Sequence, residues 1–435
     1  MNIRKLALET LSKCESAEQY SNLALDAKIK KFNIVGDDRA LFTVLVYGTI
    51  EHKLTLDYYI SVLSSLPDSK IDSQTRNILR LGLYQIIFMR TADHAAVNET
   101  VSLAPARSRG FVNALLRNFI RKRDQIKLPD KASDAAYSLS IEFSYPSTTV
   151  KKLIDCLGVD ETENFLRALG TPPPLTLRTN TLKVGRDKLS ELLMASDIKV
   201  KKTRFSPYGI KLLESRAYSE LDEKFKGMFF IQDEASQIAT AALDARPNDI
   251  VMDICACPGS KSFGAAMTME NKGRILAYDL SKSKLPLILS GANRLGIDII
   301  SAEAHDGREL ISSLEGSADR IICDVPCSGF GVIAKKPDIR YKDISAIAKL
   351  PNIQYDIITT AAKYLKIGGI MAYSTCTIFA EENENIVSEF LKNNPNFELV
   401  PFKAGELECE KGFITLMPHI HGTDGFFVAK LRRIK

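Results

Sequence analysis

The chain has no tryptophan, no Cys-x-x-Cys pair, no Gly-x-Gly-x-x-Gly turn and no apolar stretch long enough to span a membrane. The missing tryptophan excludes nothing by itself. The missing cysteine pairs argue against a zinc site, and no metal is expected. Met1-Asn2-Ile3-Arg4-Lys5-Leu6 opens no long apolar segment, so neither a signal peptide nor a membrane anchor is expected. Eight cysteines are scattered along 435 residues in no regular framework, and a chain this long does not depend on disulfide staples. These absences point to a reduced, cytoplasmic protein.

What is present is ordinary globular composition, 45% hydrophobic and 26% charged, in a chain long enough for two to four domains. A formal net charge of +5 is weak evidence for a polyanionic partner. Residues 1–128 follow helical spacing. Leu41, Val44 and Leu45 share one helix face; Leu79, Leu83, Ile86 and Ile87 share another, widened by Ile78, Leu81, Tyr84 and Phe88. Breaks fall at Gly36-Asp37-Asp38, Pro67-Asp68 and Thr91-Ala92-Asp93-His94. The region reads as an all-α bundle that closes on the basic run Arg121-Lys122-Arg123. Such a run is usually a solvated helix face; a phosphate-contacting patch is the sharper reading.

Residues 129–170 read as a linker, centred on Leu128-Pro129-Asp130 to Ser133-Asp134, and a helical segment over 148–157 after Pro146. Gly170-Thr171-Pro172-Pro173-Pro174 forces extended backbone and marks a second boundary. Residues 171–228 read as a small α+β RNA-binding module, with a strand from Leu175, a helix over 186–196 and strands over 199–205 and 209–213. Lys199, Lys201, Lys202 and Arg204 crowd one of these strands. Edge lysines commonly block strand pairing, and an RNA contact is the alternative. From 229 to 435 strands and helices alternate, with strands expected over 250–254, 274–278, 299–303, 320–324, 370–374 and 426–431. That alternation predicts a doubly wound α/β sheet.

Strand C-termini in such a sheet converge on one ligand crevice. Asp253-Ile254-Cys255-Ala256-Cys257-Pro258-Gly259-Ser260-Lys261 is a strand end, a glycine turn and a helix start. Asp279 closes the next strand, and His305-Asp306-Gly307 the one after. A glycine lets backbone approach a ligand, and an acid at the second strand end accepts from ribose hydroxyls. A dinucleotide site lacks its fingerprint here, so a nucleoside cofactor without pyrophosphate, S-adenosylmethionine, fits better. Asp279 could instead only cap the helix after it. Two further strands end at thiols: Asp324-Val325-Pro326-Cys327 and Ser374-Thr375-Cys376-Thr377. Two thiols at one crevice suggest covalent catalysis on an electron-poor ring. Cys323 reads as a buried structural residue, and Cys14, Cys156 and Cys409 carry no signal.

These motifs, with Glu381-Glu382-Asn383, Phe230-Ile231-Gln232-Asp233-Glu234-Ala235-Ser236 and Gly422-Thr423-Asp424-Gly425-Phe426-Phe427, resemble the RNA cytosine-5 methyltransferases. Within them the chain is most similar to the bacterial 16S ribosomal RNA enzymes of the RsmB family, over nearly its whole length. The resemblance implies a NusB-like N-terminal bundle, an RNA-binding module and a Rossmann-like class I methyltransferase domain that uses S-adenosylmethionine. It implies that Cys376 adds to cytosine C6 and that Cys327 assists release of the C5 proton and of the product. It implies that Asp324 contacts the base and that Lys261 lines the base pocket. The cofactor contacts it implies are Cys255, Ala256, Cys257, Pro258, Gly259, Ser260, Lys261, Asp279, Asp306 and Asp324. A monomer acting on 16S ribosomal RNA, at an unpaired or flipped cytosine, is expected. The same chemistry on another ribosomal site or on tRNA is the near alternative; a non-catalytic RNA-binding assembly factor is the distant one. A DNA cytosine methyltransferase would leave the second thiol unexplained.

The chain departs from the family pattern in places. Ser260 stands where a glycine is usual, Ser262 where threonine is, and Cys257 where alanine is. If position 260 needs left-handed backbone, serine there costs roughly 1–2 kcal/mol. Ala334, Lys336 and Tyr341 replace arginine, histidine and tryptophan, and Tyr145 replaces a histidine.

Overall fold

A computed structural model of the chain describes residues 2–16, 21–171, 173–214 and 218–435. Pro172, part of the expected second boundary, lies outside the described residues. The chain divides into two compact units. One is Met1–Gly170 with Ile333–Ile344; the other is Thr171–Val332 with Ser345–Lys435.

The first unit is helical. Ser73–Phe88 is its central helix, with Ile78, Leu79, Leu81 and Leu83 fully buried and Asp72 capping its N-terminus through the Thr75 N–H. Phe88, expected on that buried face, is 41% exposed at the helix end and stacks on His52, ring centroids 3.7 Å apart. Val44 is likewise exposed. The face expected from spacing is therefore too wide at its C-terminal end, where burial falls off after Ile86. Helix Ala106–Lys122 buries Val112, Leu115, Leu116 and Phe119, and leaves Arg121, Lys122 and Arg123 exposed. Arg123 pairs with Asp93. The basic run therefore has the geometry of a solvated helix end, where cations also suit the helix dipole. A helix over Ala135–Phe143, not foreseen from the sequence, starts at the Asp134 cap, ahead of Ser147–Leu157.

The segment Ile333–Ile344 is part of this unit. Arg340 is 2% exposed, its guanidinium lies 4.6 Å from the Tyr145 ring centroid, and it donates to the Glu51 carbonyl. Tyr341 donates to the Ile50 carbonyl at 2.7 Å. Two of the family departures, Tyr145 and Tyr341, thus pack within the helical unit.

The second unit carries two main sheets. In the small antiparallel one, β1 (Thr176–Thr179), β2 (Val200–Lys202), β3 (Gly209–Leu212) and β4 (Phe229–Ile231) lie in the order β2-β3-β1-β4. Leu177, Leu189, Leu193, Ile210 and Phe229 form its core. β4, at the start of the region where alternation of strands and helices was expected, pairs with β1, Leu177 against Ile231, and Phe229 completes this small core. β2 is one of the two edge strands, and it is shorter than expected. Lys199, Lys202 and Arg204 pair with Glu214, Asp187 and Glu406. That is the charged edge which keeps another strand from adding.

The large sheet contains β5 (Ile250–Asp253), β6 (Arg274–Asp279), β7 (Ile300–Ala304), β8 (Ala318–Asp324) and β9 (Leu365–Thr375), all parallel. β10 (Phe397–Leu399), β13 (Phe413–Leu416) and β14 (Phe426–Arg433) add antiparallel pairing, while β11 (Phe402–Ala404) and β12 (Leu407–Cys409) form a separate hairpin. The order is β10-β14-β9-β8-β5-β6-β7. Side chains alternate between two cores: Met252, Ile321, Cys323, Met371 and Tyr373 face one, Val251, Ile275, Ile322 and Ala372 the other. Cys323 is wholly buried. The chain runs outward from β5 to β6 and β7, then returns to place β8 on the other side of β5. That reversal opens a crevice at the C-terminal ends of β5 and β8, where a parallel sheet takes its ligand.

Candidate active site

β5 ends at Asp253, and the helix Ser260–Thr268 begins six residues after Ile254. Between them Gly259 has φ +102°, and a Cβ there would meet the Phe263 ring at 2.6 Å. Only glycine suits that backbone and that space. Ser260 is the first helical residue and is not among the positive-φ positions, so the strain expected for serine does not arise. The left-handed position is Gly259, one residue earlier. Ser262 is fully buried and donates to Asp253 at 2.6 Å, a bond that its hydroxyl makes as a threonine's would.

Asp279, at the end of β6, accepts from the Cys257 N–H at 3.1 Å and from the Ser281 N–H at 2.9 Å, one on each oxygen. It therefore ties the glycine turn to β6 and leaves each oxygen a further lone pair. After β7, Arg308 forks onto Asp306, and its hydrogen bonds hold that carboxyl at about 2. At Gly307 a Cβ would meet Ile254 at 2.7 Å. The turn, Asp279, Asp306 and Asp324 thus stand at the ends of four neighbouring parallel strands. This set of carboxylate acceptors around a glycine turn fits the hydroxyls of a nucleoside, and it offers no cradle for pyrophosphate.

Asp253 is 1% exposed, and its Oδ1 has no hydrogen-bond partner. Burial pushes its carboxyl up to about 7, against the bond from Ser262. An acid raised in the folded state binds more protons there than in the unfolded chain. Its contribution is therefore favourable at low pH and is lost as pH rises from about 4 to about 7. Asp253→Asn is expected to remove that component: thermal melts of variant and parent should diverge progressively over this range, the variant gaining with pH. Parallel melting curves would show that Asp253 is ionised throughout.

β8 and β9 run parallel in register, Asp324 beside Ser374. Asp324 accepts from Lys261 Nζ at 2.6 Å and from Ser374 Oγ at 2.7 Å. Lys261 is 8% exposed, and its ammonium lies 5.2 Å from the Phe426 ring centroid. Its charge is thus committed to Asp324. Three residues past Asp324 and two past Ser374, the chains bring Cys327 and Cys376 together, Sγ to Sγ at 3.0 Å. The Cys376 N–H donates to Cys327 Sγ at 3.2 Å. Both thiols are half-buried. The hydrogen bond with Cys376, then burial and the Glu382 charge, push the Cys327 thiol well above its usual range, so it holds its proton at neutral pH. Gly331 donates to the Cys376 carbonyl, and a Cβ on Gly331 would strike the Gly425 carbonyl, which leaves no room there for any side chain.

The structure thus brings Lys261, Asp324, Cys327 and Cys376 together beside the glycine turn. Sequence reasoning gave no role to Ser374, Gln354 or Glu382, although Ser374 and Glu382 lie in the motifs that carried the resemblance. Among the described residues no cluster of histidine, cysteine and acidic side chains could hold a metal ion. None of their helices is long and apolar enough to cross a membrane.

Three family models match: a NusB family model over residues 1–121, an RsmF/B-like ferredoxin-like domain over 145–218, and the 16S rRNA methyltransferase RsmB/F model over 240–432. The probable ribosomal RNA small subunit methyltransferase B of Bacillus subtilis is 36% identical over 99% of both chains. The crystal structure of PH0851 superposes with a TM-score of 0.80 at 26% identity, covering 100% of this chain and 99% of that one. A methyltransferase homolog from Pyrococcus horikoshii gives 0.61 at 26% identity, over 69% of this chain and 99% of its own. With a NusB-like bundle, a ferredoxin-like module and a Rossmann-like methyltransferase domain in one full-length match, the chain belongs to the RsmB/F family of ribosomal RNA small-subunit methyltransferases.

Proposed function

We propose that this methyltransferase transfers the methyl group of S-adenosylmethionine to C5 of a cytosine in 16S ribosomal RNA, through a covalent bond between Cys376 and C6. The observation that carries this reading is the pair of thiols at 3.0 Å beside the Lys261–Asp324 ion pair. S-adenosylmethionine, when bound, supplies the methyl as an electrophilic sulfonium. Cys255, Ala256, Cys257, Pro258, Gly259 and Ser260 would hold it, with Asp279, Asp306 and Asp324.

C5 of cytosine is a poor nucleophile. Addition of the Cys376 thiolate at C6 makes it an enamine carbon. Asp324, backed by Lys261, faces N3 and the exocyclic amine and favours a proton on N3, so that the ring takes up the electron pair of the thiolate without building a free negative charge. After methyl transfer the C5 proton must leave so that the C5–C6 double bond reforms and the Cys376 sulfur departs. Cys327 takes that proton. It begins as a thiol because Cys376 lies beside it. Forming the Cys376 thioether removes the first and largest of the causes that hold the thiol proton, which lowers the cost for Cys327 to give it to solvent and act as the base.

The test is a denaturing gel with small subunits or ribosomal RNA and the methyl donor. Cys327→Ala is expected to trap a protein–RNA adduct, and Cys376→Ala none. The reverse dependence would exchange the two roles. A wild-type protein that neither methylates nor forms an adduct would support a non-catalytic assembly factor.

A further inference from the structure

Two adjacent residues, Glu382 and Asn383, each grip one of the cysteine loops. Glu382 Oε2 accepts from the Ser328 N–H at 2.8 Å and from Gln354 Nε2 at 2.9 Å. The same Gln354 nitrogen donates to the Pro326 carbonyl at 2.9 Å. The residues before and after Cys327 are thus both tied to the Glu382–Gln354 pair. Asn383 does the same for the other loop: Thr375 donates to its Oδ1 at 2.5 Å, and its Nδ2 donates to the Thr377 carbonyl at 3.1 Å. Cys376 lies between those two residues. Tyr373 of β9 donates to the Glu382 carbonyl at 2.7 Å, which fixes the dipeptide to the strand that carries Cys376.

Hydrogen bonding alone does not require a carboxylate here. One oxygen, Oε2, takes both donors, while Oε1 has no partner and Glu382 is 1% exposed. A glutamine would offer the same single acceptor. What the glutamate adds is a buried negative charge on the loop of one thiol. In a medium of low dielectric such a charge acts strongly on neighbours. We propose that Glu382 is a positioning residue that sets the Cys327 loop against the Cys376 loop and, by its buried charge on the Cys327 side, divides the work of the two thiols so that Cys376 is the one that attacks. The proposal rests on the thiol roles given above. The titratable groups facing Cys327 are Cys376, Glu382 and Tyr373, and the first two oppose its ionisation. Burial raises the Tyr373 hydroxyl well above its usual range, so this group stays neutral.

The experiment is site-resolved alkylation of the reduced, full-length protein with iodoacetamide between pH 6 and pH 10, read by peptide mass spectrometry without RNA. In the parent protein Cys376 is expected to label at lower pH than Cys327. Glu382→Gln should move the Cys327 midpoint to lower pH by about one unit, roughly tenfold in labelling rate at a fixed pH below it. The shift should persist in a Cys376→Ala background, which removes coupling between the thiols. Glu382→Asp keeps the charge and should leave the Cys327 midpoint high. Three results would overturn the proposal: Cys327 labelling first in the parent, an unmoved midpoint in a folded Glu382→Gln protein, or equal shifts from Gln and Asp. Absence of an RNA adduct in Cys327→Ala would overturn the cytosine reading instead, and leaves the labelling result standing.

Discussion

Cys376→Ser is expected to lower kcat for methyl transfer to small-subunit RNA by about 10⁴-fold or more, with little change in Tm. The substitution keeps the shape of the side chain and exchanges sulfur for oxygen. A thiol reaches the anion within reach of neutral pH, whereas a hydroxyl needs a strong adjacent base. Cys376 Sγ lies 3.0 Å from Cys327 Sγ, a thiol that holds its own proton and so is no base for a hydroxyl. Cys327 cannot take over, because it sits on its proton and its loop is fixed on either side by Gln354 and Glu382. Removing one member of a nucleophilic unit commonly abolishes most of the rate. A loss of 10⁴ is about 5.5 kcal/mol of transition-state stabilisation. Stability should barely move, since Cys376 is half-buried at the margin of its core cluster. Single-turnover transfer of a labelled methyl group checks it. Residual activity within tenfold of the parent would show that addition at C6 is not carried by this sulfur.

The convergence of these thiols was legible because β8 and β9 are apolar runs that end in polar residues, and parallel strands deliver such ends to one edge. The same signal marked β5, β6 and β14. It did not mark β4, Phe229-Phe230-Ile231, a three-residue strand whose sheet only a long-range pairing decides. It also failed at β10 to β13, runs of three or four residues too short to show alternation. Within the site, residue types pointed to Cys327, Cys376, Asp324 and Lys261, but not to the pairing of Lys261 with Asp324, which spans 63 positions. Gln354 had no signal at all: it lies in an amphipathic helix, and its function comes from a donor that reaches two loops at once. The Ser260 departure looked costly only because the left-handed residue of the turn could not be assigned from sequence; it is Gly259.

Asp324→Asn separates the catalytic part of the Lys261–Asp324 pair from its structural part. The carboxylate faces two ways: it holds Lys261 at 2.6 Å and Ser374 at 2.7 Å, and on the proposed chemistry it meets the amine edge of the base. Asparagine keeps the size but not the charge. It leaves Lys261, a residue only 8% exposed, without its carboxylate partner at 2.6 Å. Breaking a buried pair from one side destabilises by about 3–5 kcal/mol, and the partial exposure of Asp324 places this variant near or below the lower end. Loss of a positioned charge at the base should lower kcat/KM by about 10²–10³-fold. The two effects part in the double variant Asp324→Asn with Lys261→Met. Removing the stranded cation should restore most of the Tm, because methionine fills the lysine stem's space and needs no partner. Activity should stay as low as in the single variant or fall further. If activity instead returned with Tm, the pair would be a structural clamp alone, and the base contact would have to come from another strand end.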